Sequence, residues 1–245
     1  MSKHSTPTMP GWKRGLDLLC CVLAAPGFVI LTVFTMGLMW LTSPGTIFFR
    51  QERIGLMGRR FRIYKFRTMH LGAETSGHQN HFTQLIQTNS PMQKLDAKGD
   101  SRLIAGAWLL RSTGLDELPQ IMNVLRGEMS IVGPRPCIPY EYEQYTDAQR
   151  ERFLSVPGLT GLWQVSGKNR TTFEEMIRLD REYTERKSLA LDLKIIAMTV
   201  PALCLQVGDV MKGRRRAAAA KALSAGTRSA VPAANSQQPI GADWQ

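Results

Sequence analysis

The sequence predicts an α+β fold with an N-terminal re-entrant membrane helix, a small β-hairpin and several short amphipathic helices at a membrane interface. Three observations lead to this prediction. A long uncharged stretch lies near the N-terminus, an alternating hairpin pattern follows it directly, and short helical patterns occupy the rest of the chain. A chain of 245 residues is long enough for one such domain with an anchor and a tail.

Charge and cysteine content narrow the possible partners and the compartment. The formal net charge of +11 indicates an anionic partner, which is a nucleic acid, a phospholipid surface or a phosphorylated substrate. The four cysteines have neither the spacing of metal ligands nor that of a disulfide framework. We therefore expect the soluble part of the protein to be cytoplasmic.

Residues 11–42 are predicted to form the membrane anchor, after a flexible N-terminus of residues 1–10. No charged residue occurs from Leu18 to Leu41, and a helix of that length, about 36 Å, could cross a hydrocarbon core of about 30 Å. Pro26 predicts a bend within it. Basic residues flank both ends, and the positive-inside rule then places both ends in the cytoplasm. A re-entrant, monotopic hairpin satisfies both observations, whereas a straight span does not.

A β-hairpin is predicted directly after the anchor. Apolar and polar residues alternate from Ile47 to Ile54 and from Phe61 to Phe66, around a turn at Gly55–Gly58. We assign its cations to one polar side, where they would meet anionic head groups or a diphosphate. The alternative is an ordinary solvated strand face. These cations are Arg50, Arg53, Arg60, Arg62, Lys65 and Arg67.

The next two predictions concern the stretch before the acidic pair. Residues 70–100 are rich in polar residues and glycine, and we expect a variable, partly disordered excursion without chemistry there. The helical spacing of apolar residues predicts a helix over residues 101–111. That helix would deliver Arg111 five residues before Asp116.

The segment from Asp116 to Pro136 carries the main candidate site. Asp116 and Glu117 precede a predicted helix that Gly127 ends, and a helix start favours anions. A short buried strand then leads into Gly133-Pro-Arg-Pro136, whose prolines should aim Arg135 in one direction. The alternative is that Asp116 is only an N-cap and Arg135 only a surface loop residue.

Glycines and a second carboxylate mark the C-terminal half. The glycine-rich segment from Pro157 to Arg170 would let the backbone approach a ligand closely, with Lys168 as a cationic contact. Thr172 and Glu175 form a capping box for a helix over residues 173–187. Asp180 falls on the apolar stripe of that helix. It is paired either with a cation of the site or with a neighbouring arginine, because a buried charge needs a partner.

The last apolar stretch, from Leu191 to Val210, predicts a helix that lies on the membrane, because Asp192, Lys194 and Pro201 interrupt it. Residues 43–210 would then form one cytoplasmic domain. Residues 211–245, which begin with a cluster of basic residues, are predicted to be a basic, disordered tail.

Four motifs, in this order and spacing, resemble the bacterial sugar transferase family, the small monotopic phosphoglycosyl transferases. They are Lys65-Phe-Arg-Thr-Met69, Arg111 with Asp116-Glu-Leu-Pro-Gln120, Gly133-Pro-Arg-Pro136, and Pro157-Gly-Leu-Thr-Gly161 with Ser166-Gly-Lys-Asn169. The resemblance implies transfer of a sugar 1-phosphate from a UDP-sugar to polyprenyl (undecaprenyl) phosphate, with release of UMP. It also implies the first step of exopolysaccharide, capsule, O-antigen or glycan synthesis, on the cytoplasmic face of the bacterial inner membrane.

The same resemblance implies roles for individual residues. Asp116 would be the nucleophile, which forms a covalent aspartyl glycosyl-phosphate, and Glu117 its acidic partner; both would hold Mg²⁺. Lys168 stands where many members carry arginine, and a lysine lacks the bidentate fork of arginine. The residues that would bind the substrate are Lys65, Arg67, Arg111, Arg135 and Lys168.

A second class of function is a basic membrane-associated scaffold or a nucleic-acid binder. The adjacent carboxylates of Asp116 and Glu117 argue against it, because they would repel a polyanion, and no helix-turn-helix, zinc-finger or RNA-recognition motif occurs in the sequence. We therefore expect membrane lipids as partners and no nucleic acid. The sequence leaves the sugar and the oligomeric state open, with a homodimer as one option.

Overall fold

In a computed structural model, which describes residues 8–42, 45–70, 76–92, 102–104 and 106–229, the predicted anchor is a helix, α1 (Gly11–Thr42), with Pro26 inside it. Within these residues two helical stretches are long and apolar enough to cross a membrane, Gly11–Leu41 and Leu189–Gly213. Mixed helices and small sheets confirm the α+β class. The bend at Pro26 and the re-entrant course stay predictions.

Both ends of α1 pack against the rest of the protein. Near its start, Lys13 is buried, and its Nζ lies 2.5 Å from Asp192 Oδ2 and 2.8 Å from the Tyr183 hydroxyl. Near its end, Met39 is buried in one apolar cluster with Ala107. The large apolar side chains that α1 leaves exposed include Leu19, Val22, Leu23, Val29, Ile30, Val33, Phe34, Trp40 and Leu41.

The predicted hairpin forms from β1 (Phe48–Ile54) and β2 (Arg60–Phe66), which pair antiparallel with Phe48 opposite Phe66. Cross-strand partners share a face and neighbours along a strand alternate. The register therefore places Arg53 and Lys65 on one face and Arg50, Arg60 and Arg62 on the other. The prediction that one side carries all the cations is wrong, because it ignored this alternation.

Two predictions between residues 70 and 113 are also wrong. A helix, α2 (Ser76–Thr88), occupies part of the stretch expected to be irregular, because Phe82 and Leu85 are buried at helical spacing. The helix predicted over residues 101–111 is α3 (Ala107–Thr113) instead. Leu103 forms a β-bridge with Met69, and this pairing keeps Leu103 extended. Residues 71–75, 93–101 and 105 lie outside the described part.

The segment after α3 carries the acidic pair. Gly114, at φ 75°, begins a 3₁₀ segment, Leu115–Gln120, and α4 (Ile121–Arg126) follows it. Gly127, at φ 78°, ends α4 as predicted. Asp116 therefore lies in the first turn of the 3₁₀ segment and is not an N-cap, since the N-cap position belongs to Gly114.

A two-stranded parallel sheet joins the two glycine motifs. β3 (Ser130–Val132) pairs with β4 (Gly158–Thr160), with Ser130 opposite Gly158. A Cβ on Gly158 would lie 2.1 Å from the Gly133 nitrogen, and one on Gly161 would lie 2.2 Å from the Gly133 oxygen. Contact between two backbone segments thus requires these glycines, whereas the sequence analysis assigned them to contact with a ligand.

The remaining helices surround an apolar core. The Thr172–Glu175 capping box begins α8 (Phe173–Arg186) as predicted. The core cluster includes Ile54, Phe82, Tyr145, Phe153, Trp163, Phe173 and Met176. The short helices between β3 and α8 are α5 (Pro139–Glu143), α6 (Asp147–Arg150) and α7 (Leu162–Val165).

The last helix, α9 (Leu189–Ser229), is longer than predicted. It continues through residues 211–229, where the sequence analysis expects a disordered tail, because that stretch is rich in alanine, the residue with the highest helix propensity. Residues 230–245 lie outside the described part. The chain divides into two compact units, Met1–Val207 and Gly208–Gln245, and all contacts discussed below lie within the first.

Candidate active site

The acidic pair and a lysine from the hairpin come together at the 3₁₀ segment Leu115–Gln120. Asp116 is 7% exposed, whereas the side chain of Glu117 is 44% exposed. Lys65, on β2, places its Nζ 2.7 Å from Glu117 Oε1. This partly exposed ion pair directs the Glu117 carboxylate toward the hairpin. The structure thus brings a cation of β2 to the carboxylate that directly follows the buried candidate nucleophile.

Two arginines of the motifs lie near this group and differ in their surroundings. Arg111, in the last turn of α3, donates from Nη1 to the Thr68 hydroxyl at 3.1 Å, which ties it to the motif that contains Lys65. Arg67 is buried, and its guanidinium donates to the carbonyl oxygens of Thr46 at 2.7 Å and Met69 at 3.4 Å. These contacts join chain segments, so the geometry favours a structural role for Arg67 over contact with substrate.

Two buried arginines hold the backbone of the Gly133–Pro136 loop. Arg152 Nη2 donates to the Arg135 carbonyl at 2.8 Å, and Arg53 Nη1 donates to the Pro136 carbonyl at 3.3 Å. Arg53 was predicted to lie among the hairpin cations that face an anion, and no role was predicted for Arg152. In the sequence, the position of Asp180 on the apolar stripe of its helix indicated that a buried cation lies nearby. Arg152 is that cation, since the two side chains form a buried ion pair.

Burial shifts the pKa of groups around this loop. It raises the pKa of Asp180 to about 6, although the adjoining Arg152 guanidinium acts in the opposite direction. The ion pair therefore forms against a desolvation penalty, and its evident effect is to fix geometry. Burial also raises the pKa of Cys137 to about 12. The Cys137 side chain stays a thiol at neutral pH and is neither a nucleophile nor a thiolate ligand.

Trp163 joins Arg135 to the loop of Lys168. The Arg135 guanidinium lies over the Trp163 ring, 5.9 Å from its centroid. The indole Nε1 donates to the Thr171 hydroxyl at 2.5 Å, and that hydroxyl donates to the Lys168 carbonyl at 2.8 Å. Lys168 itself has φ 41°, a conformation that L-residues rarely adopt. Such strain persists where the surroundings enforce it, often at functional sites.

Arg53 connects the hairpin of Lys65 with the Gly133–Pro136 loop. It lies on the same face of the hairpin as Lys65, and its guanidinium holds the Pro136 carbonyl. Burial lowers the pKa of Arg53, and the nearby charges of Arg135 and Glu117 act on it in opposite directions. The Arg53 side chain thus links the hairpin that carries Lys65 to the loop that carries Arg135.

The carboxylates of Asp116 and Glu117 can be tested as a Mg²⁺ site. No group of three or more His, Cys, Asp or Glu side chains that could hold a metal occurs among the residues that the structure describes. Mg²⁺ on substrate phosphates, however, needs only one or two protein carboxylates, since phosphate oxygens and waters complete its shell. Two adjacent carboxylates fit a Mg²⁺ ion that arrives with a diphosphate.

Comparison with known proteins identifies the family. The family model of the bacterial sugar transferases matches residues 9–206. The exopolysaccharide production protein ExoY of Sinorhizobium fredii is 38% identical over 197 residues, which are 80% of this chain and 87% of the relative. The UDP-glucose:undecaprenyl-phosphate glucose-1-phosphate transferase of Caulobacter vibrioides is 37% identical over 199 residues, 78% of this chain and 69% of the relative.

A third relative is much longer than the matched region. The undecaprenyl-phosphate galactose phosphotransferase of Salmonella typhimurium is 33% identical over 196 residues, which are 76% of this chain but 39% of the relative. All three alignments cover most of this chain and agree with the extent of the family match. The chain therefore belongs to the bacterial sugar transferase family and is a transferase of this class.

Proposed function

We propose that this protein transfers a sugar 1-phosphate from a UDP-sugar to a polyprenyl phosphate, such as undecaprenyl phosphate, and releases UMP. The observation that carries the proposal is the buried Asp116 carboxylate beside the Lys65–Glu117 ion pair. Carboxylates act as nucleophiles toward phosphorus, and neighbouring cations balance the charge on the phosphate oxygens. The names of the relatives, which include transferases of hexose 1-phosphates to undecaprenyl phosphate, support the same substrates.

The first step forms a covalent enzyme intermediate. An oxygen of Asp116 attacks the β-phosphorus of the UDP-sugar, and the bond between that phosphorus and the bridging oxygen breaks. UMP leaves with the electron pair, and the sugar phosphate stays as an ester on Asp116. Lys65, Arg111 and Arg135 offer positive charge to the phosphate oxygens, which stabilises the transition state. Lys168 extends this set toward the nucleotide.

Mg²⁺, held by Asp116 and Glu117 together with diphosphate oxygens, would neutralise charge on the diphosphate when bound.

The second step returns the enzyme to its starting state. A phosphate oxygen of the polyprenyl carrier attacks the same phosphorus, and its bond to Asp116 breaks. The product is a sugar linked to the carrier by a diphosphate, and Asp116 is again a carboxylate. Exopolysaccharide, capsule or related glycan synthesis would begin with this product.

The packing of α1 supports a monotopic arrangement on the cytoplasmic face of the inner membrane. Lys13 and Met39 are both buried against the same unit of the protein. A straight helix would separate them by about 39 Å, more than the hydrocarbon thickness of about 30 Å. A perpendicular span would thus move one end away from the domain. A re-entrant course keeps both ends with the domain and places the site beside the leaflet that holds the carrier.

The first half-reaction tests the mechanism directly. Purified protein is mixed with a panel of UDP-sugars without polyprenyl phosphate, and UMP is measured at early times. We expect one UDP-sugar to give a burst of one UMP per enzyme and to leave its labelled sugar phosphate on the denatured protein. Asp116→Asn should abolish both signals. The matched control is Asp147→Asn, at a fully exposed carboxylate. A normal UMP burst from Asp116→Asn would exclude Asp116 as the nucleophile.

A further inference from the structure

The inner stripe of α9 contacts the segment that leads to Asp116. Gln206 Nε2 donates to the Ser112 carbonyl at 2.8 Å and to the Arg111 carbonyl at 3.4 Å. Three residues earlier on α9, a methyl carbon of Leu203 lies 3.7 Å from the place where a Gly114 Cβ would be. The Thr199 hydroxyl forms a hydrogen bond of 2.8 Å with the Thr160 hydroxyl of β4. One face of α9 thus supports both motifs of the candidate site.

The Gln206 contact has a specific effect on α3. The last four carbonyl groups of a helix have no partner within that helix. α3 ends at Thr113, so the carbonyls of Arg111 and Ser112 belong to this set. Gln206 donates to both from outside, and it therefore fixes the end of α3 and the position of the 3₁₀ segment that carries Asp116.

The outer face of α9 is apolar and exposed. Its exposed large side chains are Leu189, Leu193, Met198, Val200 and Leu205. The stretch from Leu189 to Gly213 is apolar enough to enter a bilayer. The inner stripe, however, is held on the domain from Asp192 to Gln206, a length of about 21 Å. A helix fixed to the domain along that length cannot cross the bilayer in the same region, so its outer face can only lie on it.

Exposed apolar side chains also occur on the helices before and after the acidic pair. Leu109, on α3, is 47% exposed, and Met122 and Leu125, on α4, are 40% and 43% exposed. These helices flank the segment that carries Asp116 on both sides. A bilayer is broad enough to cover apolar side chains on α3, α4 and α9 together, and a lipid-linked acceptor would meet Asp116 at that same boundary.

We propose that α9 transmits membrane docking to the nucleophile: its outer face rests on the bilayer, and Gln206 holds the segment that positions Asp116. Gln206 is a positioning residue in this arrangement, since its side-chain amide donates to backbone carbonyls that precede Asp116. The proposal rests on the proposed function, because its readout is formation of the ester on Asp116. It predicts that loss of docking and loss of the Gln206 contact slow the same step.

The first experiment measures docking. Cys204 is exposed next to Leu205, and an environment-sensitive fluorophore is attached to it in a chain whose other cysteines are replaced by alanine. The protein is placed in nanodiscs of phosphatidylglycerol and phosphatidylethanolamine with or without spin-labelled lipid. We expect spin-labelled lipid to quench the fluorophore at Cys204 and to leave unquenched a fluorophore on Asp147→Cys, which is fully exposed on α6. Equal fluorescence with and without spin label at Cys204 would overturn docking.

The second experiment measures coupling in the same nanodiscs, as the rate of the UMP burst without polyprenyl phosphate. Gln206→Leu should slow the burst about five- to tenfold, the range that loss of its 2.8 Å hydrogen bond to the Ser112 carbonyl gives, since the 3.4 Å bond to Arg111 is weak. The KM for the UDP-sugar should stay unchanged. The matched control is Gln144→Leu, at an exposed glutamine directly after α5. Leu193→Asn with Leu205→Asn should slow the burst similarly, although both side chains lie on the exposed outer face of α9.

The outcomes separate the two proposals. Normal burst rates in the Gln206 variant or in the double outer-face variant would overturn the coupling and leave the proposed function intact. Absence of a burst in the unmodified protein with every UDP-sugar would overturn the proposed function, and the coupling with it. The outer-face variant keeps the test valid if Gln206→Leu does not fold, because it leaves the Gln206 contact in place.

Discussion

The same glycine-to-alanine change at three positions gives a direct test of the fold around the candidate site. At Gly158 the added Cβ would lie 2.1 Å from the Gly133 nitrogen and 2.5 Å from the Thr160 oxygen. At Gly127 nothing lies within 4 Å, but φ is 78°. At Gly208, inside α9, the space is open and φ is ordinary. Alanine at Gly158 therefore tests steric collision, alanine at Gly127 tests backbone strain, and alanine at Gly208 tests helix propensity.

The magnitudes follow from these surroundings. Gly158→Ala must push β3 and β4 apart by more than 1 Å, since ordinary contacts begin near 3.4 Å. That movement breaks the backbone bonds Ser130 N–H to Pro157 O, Gly133 N–H to Thr160 O and Gly158 N–H to Pro134 O. At about 1 kcal/mol each, their loss amounts to about 3 kcal/mol. Gly127→Ala costs about 1–2 kcal/mol for the left-handed conformation, and Gly208→Ala gains about 0.5–1 kcal/mol.

The assay is thermal unfolding of the full chain in one detergent at one scan rate, followed by tryptophan fluorescence. For a protein of this size, 1 kcal/mol shifts Tm by roughly 2–4 °C. We expect Gly208→Ala to melt slightly above the unmodified protein, Gly127→Ala a few degrees below it, and Gly158→Ala about 10 °C below it. Gly158→Ala should also lose UMP release, because β3 leads into Arg135.

The order of the three melting temperatures is the decisive result. If Gly158→Ala melts within 2 °C of the unmodified protein, the close contact between Gly133 and Gly158 is not present in solution. If Gly208→Ala melts below Gly127→Ala, the local backbone conformations assigned to these two positions are wrong.

Three further predictions concern the site and the anchor. Lys168→Gly should raise Tm by a few degrees, because it removes the strain at φ 41°, and yet raise the KM for the UDP-sugar about tenfold or more through loss of a charged contact; a paired melt and kinetic assay checks both signs. Arg135→Ala should lower kcat/KM by the equivalent of about 2–4 kcal/mol, whereas the exposed control Arg60→Ala should leave it unchanged. If the two variants have equal kcat/KM, Arg135 is only a loop residue without a role in catalysis. A single cysteine at Thr8 should resist a membrane-impermeant reagent in intact cells, and Pro26→Ala should expose it by straightening the anchor; labelling without Pro26→Ala would exclude the re-entrant course.

Local signals in the sequence were sufficient for the elements that local chemistry determines. The hairpin follows from alternation and a glycine turn, Gly127 ends α4 because a helix stops readily at a left-handed glycine, and Thr172 with Glu175 begins α8. Each of these signals lies within a few residues of the structure it determines. The sequence also brought Lys65, Asp116 and Glu117 into one hypothesis, and the structure places them in contact distance or in adjacent positions.

Contacts between distant segments explain the errors. Leu103 and Ile104 have helical spacing with Ala107, but they pair with Thr68 and Met69 across the fold, and this pairing keeps them extended. The α2 helix was detectable in part, since Phe82, Leu85 and Ile86 recur at helical spacing inside an otherwise polar stretch. The abundance of polar residues around them obscured that pattern.

Burial separates the cations that act on the fold from those available to a substrate, and this separation revises the meaning of the +11 charge. Arg53, Arg67 and Arg152 are buried, and each donates to backbone carbonyls. The sequence does not distinguish these three arginines from Lys65 and Arg135. The carbonyl groups to which they donate lie elsewhere in the chain or in segments without a recognisable sequence pattern. Carbonyl oxygens inside the protein thus satisfy part of a charge that composition alone assigns to an anionic partner. The cations left at the surface of the site are fewer. Arg53 and Arg152 orient the loop that carries Arg135, so their removal should disturb catalysis through geometry and not through loss of attraction to the substrate.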